Sequence, residues 1–452
     1  MAKETDPLTS LGTAFPRQLP GRASRVLHVL DQLQTFQRMP AARQDALLGA
    51  QINHLLRHAK RHSPFWRERL AEWTPRRQPP AETLKEIAPL TRQELQNEFE
   101  RIRADFPERA ALGKSETYTS GSTGTPVKVE RASLLYNSIY GAVTLLTFQW
   151  HGMDQRKVLG IIGSKTKDVD TAPLGTPFRW VGKVGVGFQR STLDRDVSET
   201  YVYCASKKPA YLQCGPQNAI ALAYHALTND RRELRLEKIL AYGSAVTAEM
   251  RDVVRRALGA EIIDRYSCEE TGYIAIQCPK HEHLHVISPA TLVEIVDEEG
   301  RSCPPGKPGR VLLTCVQSYA MPLIRYDIGD MAEWGEPCDC GITLPVIEKL
   351  WGRTRQMITT PDGKRTFAQI YAHNFVGVPG LVEYRFILHQ NSVVSAQIKA
   401  DNPSPEMSAK ITEIVQRALS YAYPVQIRYV DKLDWGSSWK QENFAVSDLP
   451  PP

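Results

Sequence analysis

No stretch of this 452-residue chain stays apolar for the ~18 residues that a membrane-crossing helix requires. The longest candidate, Ile139 to Phe148, is too short and reads as a buried helix. The amino terminus, Met1-Ala2-Lys3-Glu4-Thr5-Asp6, carries acids with no apolar core behind them, which speaks against a secretory leader. Cysteine is sparse, eight residues mostly scattered, so a dense disulfide framework is excluded and a reducing, cytoplasmic setting is expected. Charge of one sign is lacking as well. Fifty-six Lys and Arg face 50 Asp and Glu, and the net +6 is dispersed rather than blocked, which is no nucleic-acid signature. Internal repeats and low-complexity tracts are absent, and so is a Walker A loop, because no glycine is followed four residues on by Gly-Lys-Ser/Thr.

Present instead is Thr119-Ser120-Gly121-Ser122-Thr123-Gly124-Thr125-Pro126-Val127-Lys128, which packs hydroxyls and glycines into a short span and closes on a lysine. Glycines let backbone N–H groups approach phosphate oxygens, and hydroxyls donate further hydrogen bonds, so the composition suits a loop that wraps a polyphosphate. Around it the periodicity is informative. From about Arg25 to Glu100 it is helical, with Leu47-Leu48, Ile52 and Leu55-Leu56 on one face. Val158 to Ile162 and Lys238 to Tyr242 read as buried strands, Asn218 to Leu227 and Ala248 to Leu258 as helices, and Glu261 to Tyr266 as a further strand. That alternation predicts an α/β class. After Gly272 the pattern turns antiparallel, with strands at Leu292 to Val296 and Arg310 to Cys315. A compact α+β unit follows, with strands at Val382–His389 and Ser392–Ala400 and a helix at Pro405–Ala422. The chain is long for one domain, and the expected division is 1–352 and 353–452.

Three further segments carry chemistry. Tyr266-Ser267-Cys268-Glu269-Glu270-Thr271-Gly272 follows a strand, where an aromatic can stack on a purine and a carboxylate can hold Mg²⁺ among phosphate oxygens. In Arg325-Tyr326-Asp327-Ile328-Gly329-Asp330 an aspartate after a glycine turn can accept both hydroxyls of a ribose. Cys278, His281, His283 and His285 lie close together, with Cys338-Asp339-Cys340 downstream. Two thiolates one residue apart, facing a Cys and a His across antiparallel strands, can close a tetrahedral zinc shell. The expected ligands are Cys278, Cys338, Cys340 and His285, with His281 the rival for the last place. Reduced cysteines without metal are the alternative.

The order of the hydroxyl-rich loop resembles the phosphate loop of the adenylate-forming superfamily, and the residues after it resemble the phenylacetate–CoA ligase-like branch with its capsule-biosynthesis relatives. The similarity runs from about Thr119 to Lys440. It implies a large ATP- and acid-binding domain of mixed sheets and helices followed by a small mobile lid. It also implies nucleotide contacts from Thr119, Ser120, Gly121, Ser122, Thr123 and Gly124. Tyr266 is implied at the adenine, Glu270 at Mg²⁺ and Asp330 at the ribose. Gly243 and Ser244 lie where the family has its Gly-Gly-Glu-type strand end, and Ala245 stands in place of the glutamate. Trp351-Gly352-Arg353-Thr354-Arg355-Gln356 looks like the family's hinge, with Arg353 near ribose or phosphates and Arg355-Gln356 in place of an acidic pair. Lys440, followed by Phe444, is similar to the lysine that bridges carboxylate and α-phosphate, and it joins Glu270 and Lys128 as the expected catalytic residues. Relatives in this branch show a similar Cys/His pairing, consistent with structural zinc.

The resemblance implies an ATP-dependent ligase that forms an acyl-adenylate, releases pyrophosphate and passes the acyl group to coenzyme A. The alternatives are transfer to an amine, a hydroxyl or a carrier thiol, and a weakened homologue that only binds. The substrate would be a small carboxylic acid, an aromatic one if Tyr140, Phe148, Trp150 and Trp180 line its pocket. Nucleic acid and membrane are not expected partners, and the sequence carries no reading of oligomeric state.

Overall fold

The structure is a computed structural model that describes residues 21–118, 127–163, 166–173, 185–192, 195–244, 246–353, 357–363, 365–368, 370, 375, 378–433 and 444–447. The described chain divides into two compact units, one running from 21 to 328 with 332–350, the other comprising 329–331 and the residues from 351 onward.

In the first unit the long helices α1 (Gly21–Phe36) and α2 (Ala41–His62) precede four short ones. The helical stretch expected to about Glu100 is divided into several helices, with Pro64 and Pro80 each starting a new one, proline being favoured in a first turn. Strands β1 (Lys114–Tyr118) and β2 (Lys128–Ala132) form an antiparallel hairpin whose register sets Tyr118 opposite Lys128. Glu130 pins its stem: this carboxylate, 2% exposed, meets Arg103, Arg109 and Lys114. Helix α3 (Ser133–Trp150) follows.

The main sheet is built from β3 (Leu159–Gly163), β4 (Val169–Pro173), β5 (Val186–Ser191), β6 (Tyr211–Cys214), β7 (Lys238–Tyr242), β8 (Glu261–Cys268), β9 (Gly272–Gln277), β10 (Leu284–Val286), β11 (Thr291–Val296), β12 (Gly309–Cys315), β13 (Tyr326–Trp334) and β14 (Val346–Arg353). Its order is β11-β12-β13-β14-β10-β9-β8-β7-β6-β3-β5-β4. The run β8-β7-β6-β3-β5 is parallel, and its connections carry α4 (Val197–Lys207), α5 (Pro216–Thr228) and α6 (Ala248–Leu258).

Alternation along those strands explains the layering. Ile239, Ala241, Leu212 and Ile262 point into one core with residues of α4, α5 and α6. Leu240, Tyr211 and Ile263 point into another with residues of α1 and α3. Strands covered on both faces read as continuous apolar runs, which is why the sequence shows them plainly. Helix α6 buries Met250, Val253, Val254, Ala257 and Leu258, a 3–4 spacing, and is capped by Thr247 and stopped by Gly259 at φ +75°.

The second unit holds the ladder of β15 (Met357–Thr359) with β16 (Arg365–Phe367) and a four-stranded sheet of β17 (Leu381–His389), β18 (Val394–Ala400), β19 (Val425–Tyr429) and β20 (Phe444–Ser447), ordered β19-β18-β17-β20. Helix α7 (Pro405–Ala418) packs Met407, Ile411, Ile414 and Val415 into one core with Phe386, Ala396 and Ile398. It ends four residues before the expected Ala422, because Ser420 takes a left-handed φ of +54°. No helix among the described residues is long and apolar enough to cross a membrane.

Candidate active site

Parallel strands β7 and β8 stop at the same edge, with Tyr242 paired to Arg265. Open α/β sheets bind ligands at such carboxyl ends. Gly243 and Ser244 continue β7 there, exposed. Gly243 has a φ of +88° and nothing within 4 Å of where a Cβ would sit, so conformation rather than crowding demands the glycine. Beyond β8 the chain turns through residues 269–271 and reverses into antiparallel β9. Glu270 sits in that turn, 4% exposed, and accepts a hydrogen bond from Tyr326 Oη at 3.2 Å. Tyr326 is fully buried at the start of β13. Burial, and then the nearby Glu270 carboxylate, holds its phenol proton well above the usual range. Sequence reasoning assigned Tyr326 no role, although it lies inside the motif that drew attention to Asp330.

The remaining expected residues divide clearly. Tyr266 is only 6% exposed and its ring belongs to the central hydrophobic core, which leaves little face for a base to stack on. Lys128 Nζ lies 3.1 Å from Glu116 Oε1, and that carboxyl is drawn down to about 2 by Lys114 and then Lys128. Glu269 stands where the related motif has threonine. It accepts from Thr117 Oγ1 at 3.0 Å and faces the Arg131 guanidinium at 3.8 Å. Asp330 is buried on β13 behind Gly329, whose φ is +76°. Arg353 ends β14. Thr119, Ser120, Gly121, Ser122, Thr123, Gly124 and Lys440 lie outside the described residues, as do Arg355 and Gln356.

Beside Glu270 opens a cavity, part of it open to solvent. Tyr136, Tyr140 and Tyr273 line it, with Ile139, Met321 and Leu323 among its apolar neighbours. Gly272, at φ +85°, lets Tyr136 approach: a Cβ there would meet its ring at 2.9 Å. Of the four aromatics that could line an acid pocket, Tyr140 lines the cavity. Phe148 instead packs in the core against Tyr211, Trp150 donates to Gln37 and meets the His285 ring edge-on, and Trp180 lies outside the described residues.

The cysteine–histidine residues do converge. Ligand atoms of Cys278, His283, His285 and Cys338 all lie within 4.8 Å of one another. Cys278 Sγ is 3.8 Å from Cys338 Sγ, and Cys340 Sγ is 3.3 Å from His285 Nε2. Two thiolates on ~2.3 Å bonds to a tetrahedral zinc stand about 3.8 Å apart, and a thiolate and an imidazole nitrogen about 3.5 Å apart. The fit is close. Backbone amides of Lys280, Cys340 and Ile342 donate to the three sulfurs, each at 3.4 Å. His285, fully buried, shares its Nδ1 proton with the Leu344 carbonyl at 3.2 Å, which leaves the Nε2 lone pair facing Cys340. His281, the rival ligand, is outside the group of four. It is exposed and pairs with Asp339 at 2.6 Å. His283, not chosen from sequence, contributes a buried Nε2 with no hydrogen-bond partner.

No family model matches the sequence. A phenylacetate–coenzyme A ligase of Thermus thermophilus is 26% identical over 207 residues, 44% of this chain, and the chain spans about half the length of that curated relative. Among solved structures, 2-hydroxyisobutyryl-CoA ligase in complex with an acyl-AMP superposes with a TM-score of 0.70 at 16% identity, covering 92% of this chain and 91% of that one. An anthranilate CoA ligase in complex with anthranoyl-AMP gives 0.52 at 18% identity, over 72% of this chain and 64% of that one. The chain therefore has the adenylate-forming ligase fold and is related in sequence, over a little under half its length, to a phenylacetate–coenzyme A ligase.

Proposed function

We propose that this protein is an ATP-dependent acid–thiol ligase. The acid's carboxylate oxygen attacks the α-phosphorus of ATP, the bond to the bridging oxygen breaks and pyrophosphate leaves. The thiol of coenzyme A then attacks the acyl carbon, AMP departs and the thiol proton is lost. The observation that carries the reading is the buried Glu270–Tyr326 pair set beside an aromatic cavity, at the strand-end edge of a fold shared with ligases solved with acyl-AMP. Glu270 is suited to Mg²⁺, whose charge would offset that of the phosphates. Its carboxylate is already oriented by Tyr326.

Within this reading Thr119 to Gly124 and Lys128 serve the phosphates, Gly243 and Ser244 the adenine edge, Asp330 the ribose, and Arg353 ribose or phosphates. Lys440 offsets charge on the pentavalent phosphorus. The buried position of Tyr266 makes it the least supported member of the set. Residues 1–352 would bind ATP and acid, and 353–452 would act as the lid. Zinc would be structural, held by Cys278, Cys338, His285 and one of Cys340 or His283. The scattered thiols suit a cytoplasmic address. Transfer to an amine, hydroxyl or carrier thiol is the second reading, and it rests on Arg355 and Gln356 at the hinge positions.

Pyrophosphate exchange across a panel of acids tests the first step, and product masses with coenzyme A or amines separate the acceptors. Lys440→Ala is expected to slow exchange by ~10²-fold or more. Absence of exchange with every acid would leave a binding protein instead.

A further inference from the structure

The loop that joins β13 to β14 carries neither helix nor strand, and it delivers Cys338 and Cys340 to the cysteine–histidine cluster. Just past Cys340 lies a segment, 342–344, whose two ends are fastened to expected zinc ligands. At one end the Ile342 amide donates to Cys340 Sγ at 3.4 Å, and at the other the Leu344 carbonyl meets His285 Nδ1 at 3.2 Å. Outer hydrogen bonds of this kind orient a thiolate and fix an imidazole's tautomer, so ligands and segment are held or released together.

The same segment grips the elbow, residues 37–40, between α1 and α2. Ile342 and Leu344 are buried in one hydrophobic core with Leu30, Leu33 and Phe36 of α1 and Leu48 of α2. Between them the Thr343 amide donates to the Gln37 carbonyl at 2.8 Å. The Thr343 hydroxyl lies 2.9 Å from that carbonyl and 2.8 Å from the Met39 carbonyl, and it accepts from Gln44 Nε2 at 2.9 Å. Gln37, itself buried, is also held through its side chain, which accepts from Trp150 Nε1 at 2.9 Å, and the Trp150 ring meets that of His285 edge-on. The elbow's own backbone bonds are short turns, from Arg38 to the Thr35 carbonyl and from Met39 to that of Phe36. Turns of this kind open readily unless neighbouring elements hold them.

We infer that the cysteine–histidine cluster is a metal-operated clasp on the amino-terminal helices: zinc fixes the 342–344 segment, and that segment holds the elbow and with it the end of α1. The inference rests on the zinc reading above and adds what the metal controls. Its reach extends past the elbow, because α1 shares its core with Leu145 and Leu146 of α3, the helix that carries Tyr136 and Tyr140 of the cavity.

The test is amide hydrogen exchange, read by mass spectrometry on the full chain, zinc-loaded and then stripped by chelator under reductant, with metal content measured on each sample. Peptides covering 33–44 and 338–345 should exchange ~10-fold or more faster once zinc is gone, while those of β7 and β8 change less than ~3-fold. Thr343→Val keeps every candidate ligand and the backbone amide but removes the hydroxyl. It should retain its zinc and still exchange the elbow about 3–10-fold faster than the parent, the factor for one ordinary hydrogen bond. An elbow unmoved by stripping, in protein shown to have carried zinc, overturns the clasp and leaves the metal site standing. A chain that takes up no zinc retires both. Equal loosening of the elbow and of β7 marks general unfolding and overturns the clasp, as does an unchanged elbow in zinc-loaded Thr343→Val.

Discussion

Replacing Tyr326 by Phe removes one oxygen and little else, and it tests whether Glu270 is a metal-holding carboxylate. The hydroxyl is fully buried and donates at 3.2 Å to a carboxylate that is only 4% exposed, so no solvent stands ready to replace it. A hydrogen bond to a charged group contributes about 1.5–3 kcal/mol, and losing the partner that orients a ligating carboxylate typically costs about 10–100-fold in metal affinity. The assay is pyrophosphate exchange at saturating ATP and acid, with Mg²⁺ titrated over several decades. The half-saturating Mg²⁺ concentration should rise by about 10–100-fold, with most of the maximal rate regained at high Mg²⁺. A variant that lost rate without any shift along the Mg²⁺ axis would show that Tyr326 merely supports the fold. One with an unchanged curve would remove both residues from the metal site.

Other expectations are quicker to check. Protein purified without chelator should carry about one zinc per chain by elemental analysis; His285→Ala should lose it and His281→Ala keep it, and comparing Cys340→Ala with His283→Ala identifies the fourth ligand. Gly272→Ala combines a left-handed φ with a Cβ pressed against Tyr136, so it should cost roughly 1–3 kcal/mol and lower the melting temperature by several degrees. His151, half-buried and sharing a ring nitrogen with the Gln277 carbonyl at 3.1 Å, is pushed down to about 4 by burial. Its native form resists the proton that the unfolded chain accepts near pH 6.5, so its stabilising share is complete above that pH and is lost as pH falls toward 4. His151→Gln should flatten urea-measured stability between pH 6.5 and 4 by up to about 2 kcal/mol, and an unchanged slope would contradict this.

The parts of the fold that could be read from residues are those where one physical rule acts alone. Strands β7 and β8 are covered on both faces and announce themselves as apolar runs, while α6 shows a helical stripe between a threonine and a glycine. The β1–β2 hairpin went unread because its first strand, Lys-Ser-Glu-Thr-Tyr, has no apolar side. Motif residues could be named, but not their partners. Glu270 meets Tyr326 across 56 positions, and only the sheet order brings them together. In the metal cluster, residue type left His281, His283 and His285 nearly equivalent. Position decides among them: His285 lies within β10 and is fully buried, whereas His281 lies in the bend before the strand, exposed and paired with Asp339. On α3, Tyr136 and Tyr140 share a face one turn apart, whereas Phe148 turns into the core, a distinction that aromatic content alone does not carry.

The sulfurs of Cys278 and Cys338, brought from 60 positions apart to 3.8 Å, have a consequence for handling the molecule. Thiols that close can share a cation or couple to each other, but not both at once, since a disulfide needs its sulfurs about 2 Å apart. Loading and oxidation therefore compete for the same pair. A sample stripped by chelator and left in air would drift into a cross-linked form that no added metal restores until a reductant is supplied.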